Sequence, residues 1–169
     1  GHEPDWSRRA ARVVRSEEGE RVLWKNGDET VFPPDDLPLF RPAVPAARPE
    51  FGRFDPDLLP AEIGYIPVSQ GLRFGLDPGH LFDILDIVVG AAGREFSVHG
   101  EVTSPLDYVL DLFGFERAMV GFLEDPGRAQ RVLERFTDGI ARLAEGLVGH
   151  GADAVKISSP FAGAGFLST

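Results

Sequence analysis

The clearest periodicity in the chain lies between Asp125 and Ser158. Ala129, Val132, Leu133, Phe136, Ile140, Leu143, Ala144 and Leu147 recur at steps of three and four, which predicts one apolar stripe on a long helix. Asp125 is a good N-cap, and Pro126 suits the first helical position, where its missing N–H costs nothing. Gly149-His150-Gly151 predicts the stop, because glycine takes the left-handed cap conformation at little cost. Ala152 to Ser158 is then a short apolar run of the kind that a parallel strand covered by helices shows. A helix, a tight turn and a buried strand make the αβ half of an α/β repeat.

Upstream the pattern is shorter in period. Arg12–Arg15, Arg21–Lys25 and Glu29–Phe32 are β-prone runs punctuated by Glu18-Gly19 and Asn26-Gly27, and Asn-Gly between such runs is a strong hairpin signal. Helix remains a competing reading for residues 7–17. Pro33, Pro34, Pro38, Pro42, Pro45 and Pro49 predict an extended connector. Residues 1–50 therefore read as a β-hairpin flap with a proline-rich tether. Asp55-Pro56 predicts a short helix to about Ile63. Tyr65 to Gln70 reads as a strand, with Ile66 and Val68 on one face and Pro67 and Ser69 on the other. Asp77-Pro78 predicts a helix with Leu81, Phe82, Leu85, Val88 and Val89 on its apolar face, closed by Gly93. A strand over 95–101 follows, then a helix capped by Ser104-Pro105 to about Phe113, and another over 115–123.

The segments GADAVKISSPFAGAGFLS, LEDPGRAQRVLERFTDGIARLAEGLV and HGEVTSPLDYVLDLFGFERAMVGFLEDP resemble, in order, segments of the uroporphyrinogen decarboxylase superfamily. That superfamily also holds cobalamin-linked methyltransferases on the same barrel. The resemblance is firmest over 95–169 and weaker over 50–94. It implies an α/β fold, part of a (β/α)8 barrel, with 51–169 as a first-half segment behind the 1–50 flap. The chain has 169 residues, whereas such a barrel takes about 250. The expectation is a piece of a longer barrel.

Composition narrows the partners. A net charge of −10 argues against a nucleic-acid or anionic-membrane surface. There is no cysteine, hence no disulfide framework and no thiolate metal site in this segment. No apolar run approaches the roughly 20 residues of a membrane span, and no signal peptide is visible. The expected setting is a soluble cytoplasmic protein acting on a small molecule. An open half-barrel would expose a strand edge and apolar helix faces, which makes self-association a further expectation.

In such a barrel one face of each strand packs on helices and the other points inward, with the site at the strands' C-terminal ends. With Phe96 and Val98 toward the helices, Ser97, His99 and Glu101 point inward. With Val155 and Ile157 toward the helices, Lys156 and Ser158 point inward, and on 65–70 Ser69 does so nearest the end. His99 and Glu101 can be a metal pair or an acid/base pair, or a hydrogen-bonded histidine beside a surface glutamate. Lys156 can hold an anionic group or pair with a carboxylate. Ser158-Ser159 has no partner at nucleophile spacing, so its expected work is hydrogen bonding. Asp107 and Asp111, four apart on one helix face, can share a proton or serve as cap and solvated surface. Gly163-Ala164-Gly165 lacks the spacing of a phosphate loop. His2, His80 and His150 read as surface or cap residues.

The resemblance also bears on the reaction. The superfamily's decarboxylases hold substrate carboxylates with a tyrosine on the helix after the Pro motif and a serine at the strand end. Those places fall near Asp111 and at Pro160 here, and an aspartate would repel a polycarboxylate. Their catalytic aspartate and arginine motifs are not recognisable in residues 1–60. Ser159, Pro160, Phe161 and Gly163 are similar to the strand end of the methyltransferase branch. That branch implies a corrinoid protein as partner and a zinc held by His-x-Cys and a later cysteine, ligands this sequence lacks. The function expected from the resemblance is a corrinoid- or thiol-linked methyltransferase with His99, Glu101, Lys156, Ser158, Ser69 and Asp111 near the substrate. The alternatives are porphyrinogen decarboxylation in tetrapyrrole biosynthesis and a non-catalytic barrel binding a small molecule or corrinoid protein.

Overall fold

The computed structural model describes residues 10–16, 19–35, 38–44, 47–67 and 73–160. They form two compact units, the first holding the described residues to Ala47, the second those from Arg48 to Pro67 and from Arg73 to Pro160. No helix among the described residues is long and apolar enough to cross a membrane.

The first unit is an antiparallel meander of β1 (Ala10–Ser16), β2 (Gly19–Trp24), β3 (Glu29–Phe32) and β4 (Leu39–Arg41), paired in that order. The hairpin expected at Asn26-Gly27 joins β2 to β3, and β1 decides between strand and helix for that stretch in favour of strand. The sheet is wider than a hairpin, because Leu39–Arg41, inside the expected tether, pairs with β3. Gly19 has φ +117, and a Cβ there would lie 2.2 Å from the Phe32 carbonyl oxygen, so the turn into β2 requires glycine. Val22, Thr30 and Val31 are buried, and Trp24 Nε1 donates to Thr30 Oγ1 at 2.9 Å.

The second unit is mixed α/β. A hairpin of β5 (Tyr65–Pro67) and β6 (Arg73–Gly75) precedes α1 (Asp83–Ala92). Then come β7 (His99–Thr103), α2 (Pro105–Phe113), α3 (Phe115–Glu124), α4 (Pro126–Gly149) and β8 (Ala154–Ser158). β7 and β8 are parallel neighbours, joined by the long helical crossover that a parallel pair requires. They are the only parallel pair among the described residues, and no closed barrel is formed there.

α4 follows the predicted stripe. Ala129, Val132, Phe136 and Ile140 are buried, and Leu133, Leu143, Ala144 and Leu147 pack beside them. Asp125 caps it by accepting from the Arg128 backbone N–H at 2.9 Å. That bond, with the Arg128 side chain, holds the carboxyl below the usual carboxylate range. The stripe covers Val102 of β7, Val155 of β8 and the buried Leu106, Tyr108, Val109, Leu110 and Phe113 of α2. Gly100 lets α4 approach β7 closely, since a Cβ there would come within 2.8 Å of Leu147.

Four expected elements differ. The helix over 55–63 is only a 3-10 turn at Pro56–Leu58. Leu59 precedes Pro60 and is extended (φ −68, ψ 135), the conformation that a following proline favours. The strand from Tyr65 belongs to an antiparallel hairpin rather than to a parallel sheet, and Gln70, with Ser69, lies outside the described residues. The helix expected at Asp77 begins at Asp83, because Asp77 spends its side chain on the Gly79 N–H in a turn. Its face also differs, since Phe82, Leu85 and Val89 are half-buried while Leu81 and Val88 are exposed. The strand over 95–101 starts at His99, because residues 93–96 turn the chain out of α1 and leave Phe96 exposed.

Candidate functional site

The register of the parallel pair assembles the candidate residues. His99 lies opposite Ala154, Glu101 opposite Lys156 and Thr103 opposite Ser158. Side chains alternate along a strand, so Val98, Gly100, Val102 and Val155 meet the helices while His99, Glu101, Thr103, Lys156 and Ser158 share the other face. The pair is clasped at its start by Asp153, whose carboxylate accepts from the Val98 N–H and whose own N–H donates to the Val98 carbonyl, both at 2.8 Å. This is the structural work of the Gly-Ala-Asp run. Ile157, expected against helices, is 65% exposed. The parity is kept, but no described helix covers that end of β8.

Partners on this face differ from the i,i+2 pairing of His99 with Glu101. Lys156 Nζ reaches Glu101 Oε2 at 3.2 Å across the register, and His99 Nε2 lies 2.8 Å from Ser97 Oγ. The Glu101 and Lys156 side chains are both more than half exposed, so this ion pair contributes little to stability and leaves both groups available to a ligand.

At the strand ends the Ser104 N–H donates to the Ser158 carbonyl at 2.8 Å, and Ser159 Oγ donates to Ser104 Oγ at 3.0 Å. Ser104 Oγ donates in turn to Asp107 and accepts from its backbone N–H, which is the cap of α2. Burial pushes the Asp107 carboxyl up, and the Ser104 hydrogen bond opposes that shift.

Asp111 belongs to a separate network. Its Oδ2 accepts from Tyr65 Oη at 3.0 Å, Arg73 Nε at 2.8 Å and Arg73 Nη2 at 2.6 Å. The Arg73 guanidinium lies 4.5 Å from the Tyr65 ring centre, and Tyr108 Oη donates to the Tyr65 carbonyl at 2.9 Å. The two aspartates of α2 thus have different partners. One is a cap, and the other anchors a hairpin to a helix.

Tyr65 and Tyr108 are the chain's two tyrosines. Burial, reinforced by the Asp111 charge, pushes Tyr65 up from 10.0 to about 12, and burial with Tyr65 and Asp111 nearby pushes Tyr108 higher still. A folded-state value above the unfolded one means that the contribution to stability is present below pH 10 and is lost as pH rises toward about 12. Tyrosinate absorbance of the folded protein is expected to show no step near pH 10. A normal step there would contradict the burial of both phenols.

Of the remaining candidates, Ser69 and the Gly163-Ala164-Gly165 loop lie outside the described residues. His80 and His150 pair with Asp83 and Asp86 at 2.7 and 2.8 Å on the surface. Among the described residues no group of three or more histidine, aspartate or glutamate side chains stands together to hold a metal ion. Sequence reasoning missed Arg73 and Tyr65, which meet Asp111 from 38 and 46 residues away. No local spacing signals such a meeting.

A family model described as uroporphyrinogen decarboxylase (URO-D) matches residues 65–169, more than half of the chain. Comparison with curated proteins and with solved structures returned no match.

Proposed function

The chain belongs to the uroporphyrinogen decarboxylase family, and from that premise we propose that it serves methyl transfer between a corrinoid and a small thiol rather than porphyrinogen decarboxylation. The observation that carries this reading is the pairing of cations. Lys156 is matched by Glu101 and Arg73 by Asp111, and residues 161–169, just beyond β8, contain no lysine or arginine. A polycarboxylate substrate needs a surplus of positive charge where it binds. Two carboxylates that each match a cation do not supply one.

In this reading the face shared by His99, Glu101, Lys156 and Ser158 positions the methyl acceptor, and a corrinoid-carrying protein is the partner. The family's zinc would lower the pKa of the acceptor thiol. Its ligands do not come from this segment, which has no cysteine and no cluster of donors among its described residues.

The test incubates the purified protein with methylcobalamin and a thiol, following loss of the alkyl-cobalt absorbance, and in parallel with uroporphyrinogen, separating the porphyrin products. The expected result is thiol-dependent demethylation with uroporphyrinogen unchanged. His99→Ala and Glu101→Ala are expected to raise KM for the thiol about tenfold, the weight of one charge-assisted contact. Conversion of uroporphyrinogen to less carboxylated products would overturn the proposal, and binding without turnover would favour a non-catalytic barrel.

A further inference from the structure

α1 is apolar on two sides, and one of them is pinned. Phe82, just before the helix, stacks on the His150 ring with centres 4.4 Å apart, and a Cβ on Gly146 would lie 2.3 Å from it. A Cβ on Gly151 would come within 3.0 Å of Val89, and His150 Nδ1 lies 2.8 Å from Asp86 Oδ1. With Phe82 and Val89 seated at the end of α4, the helix turns Ile84, Ile87, Val88 and Ala91 outward. Ile84 is 78% exposed and Ile87 69%, and no residue of α1 is buried. A surface helix ordinarily turns its polar side to water. Here the outward residues follow the i, i+3, i+4, i+7 spacing of a packed face.

That face is complementary to itself. Its first half carries the branched side chains of Ile84 and Ile87, and its second half the small residues Gly90 and Ala91. Gly90 has no packing role within the chain, since a Cβ there would meet no atom within 4 Å. Glycine inside a helix is nonetheless destabilising relative to alanine. Close approach of a second backbone would account for it. Charge is arranged in the same sense. Asp83 opens the helix, and Arg94, close to three whole turns further on, falls on the same flank. Arg94 has no hydrogen bond or ion pair among the described residues.

About a two-fold axis beside Val88, two antiparallel copies of α1 set Ile84 and Ile87 of each on Ala91 and Gly90 of the other. The same operation brings Asp83 of each beside Arg94 of the other. We propose that α1 is the contact between two copies of this chain, packed antiparallel through this face. A net charge of −10 argues against an anionic membrane as its occupant. The ten-residue helix is about 15 Å long, so the contact is smaller than the roughly 800 Å² per partner of a standard interface. The dimer is accordingly weak and reversible.

Because the chain has no cysteine, engineered thiols report the packing directly. Under mild oxidation Val88→Cys is expected to give a disulfide-linked dimer, since the two copies of this position meet at the axis. Ile84→Cys and Ala91→Cys are each expected to stay monomeric alone and to cross-link when mixed. Gly90→Leu separates docking from folding. It is expected to leave the thermal midpoint unchanged or raised while abolishing the dimer seen by sedimentation. Arg94→Asp and Asp83→Arg are each expected to weaken association about tenfold, and the double exchange to restore it. A chain that is monomeric at every concentration overturns the proposal, as does a Gly90→Leu variant that still dimerises. A monomer whose Val88→Cys thiol is shielded from a soluble maleimide would show that another part of the same chain covers α1, which also overturns it. Cross-linking of Ile84→Cys to itself would overturn the antiparallel packing.

Discussion

Replacing Phe113 with alanine is expected to lower stability by about 3–5 kcal/mol, the range for emptying a well-packed aromatic site. Phe113 has no exposed surface. Its ring centre lies 4.8 Å from that of Phe51 and 5.2 Å from that of Phe54, the latter edge-on, so the loss includes aromatic contacts beyond area burial. The midpoint of thermal unfolding should fall by roughly 10 °C for a chain of this size. Phe113→Leu, which keeps most of the volume, should cost less than half as much. The effect has a functional side as well. Phe113 lies on the same helix as Asp111, so a loosened α2 should also weaken the hold of Asp111 on Arg73 and Tyr65. Equal stability of the alanine and leucine variants would show that this ring does not fill the core.

Overpacking the neighbouring contact gives the second large effect. At Gly121 of α3 a Cβ would come within 2.4 Å of two ring atoms of Phe51 and 2.7 Å of a third. Phe51 cannot swing away freely, because it is 6% exposed and packs on both Phe113 and Phe122. Gly121→Leu is therefore expected to cost about 2–3 kcal/mol even though leucine is the better helix former. Combining it with Phe51→Ala should recover part of that cost, because leucine then fills the space the ring has left. The two changes should be non-additive in a double-mutant cycle read by denaturant unfolding. Simple additivity would mean that Gly121 and Phe51 do not touch.

Much of the second unit was legible one residue at a time. The α4 stripe, its Asp125 cap, the Ser104-Pro105 start of α2 and the glycine stop before β8 are all written in short-range patterns. They are settled by periodicity and by how a helix satisfies its terminal N–H groups. The parity of β7 and β8 was legible too. It depends only on alternation, so His99, Glu101, Lys156 and Ser158 fall on one face although β7 begins four residues later than expected. Element ends were less legible where two local preferences compete. Pro60 cuts short the helix announced by Asp55-Pro56, and the turn at Asp77 takes the cap that a helix would have used.

The amino-acid sequence by itself determined which residues could form helices and strands, which faces were apolar, and that its ordered segments belong with the uroporphyrinogen decarboxylase family. Only the tertiary structure decided who pairs with whom. Glu101 meets Lys156 because two strands far apart in the chain align in one register. Asp111 meets Arg73 and Tyr65 because the β5–β6 hairpin docks on α2. Hydrophobic periodicity is a property of neighbours along the chain. An ion pair between distant segments is a property of how their backbones pack, and no spacing within either segment encodes it.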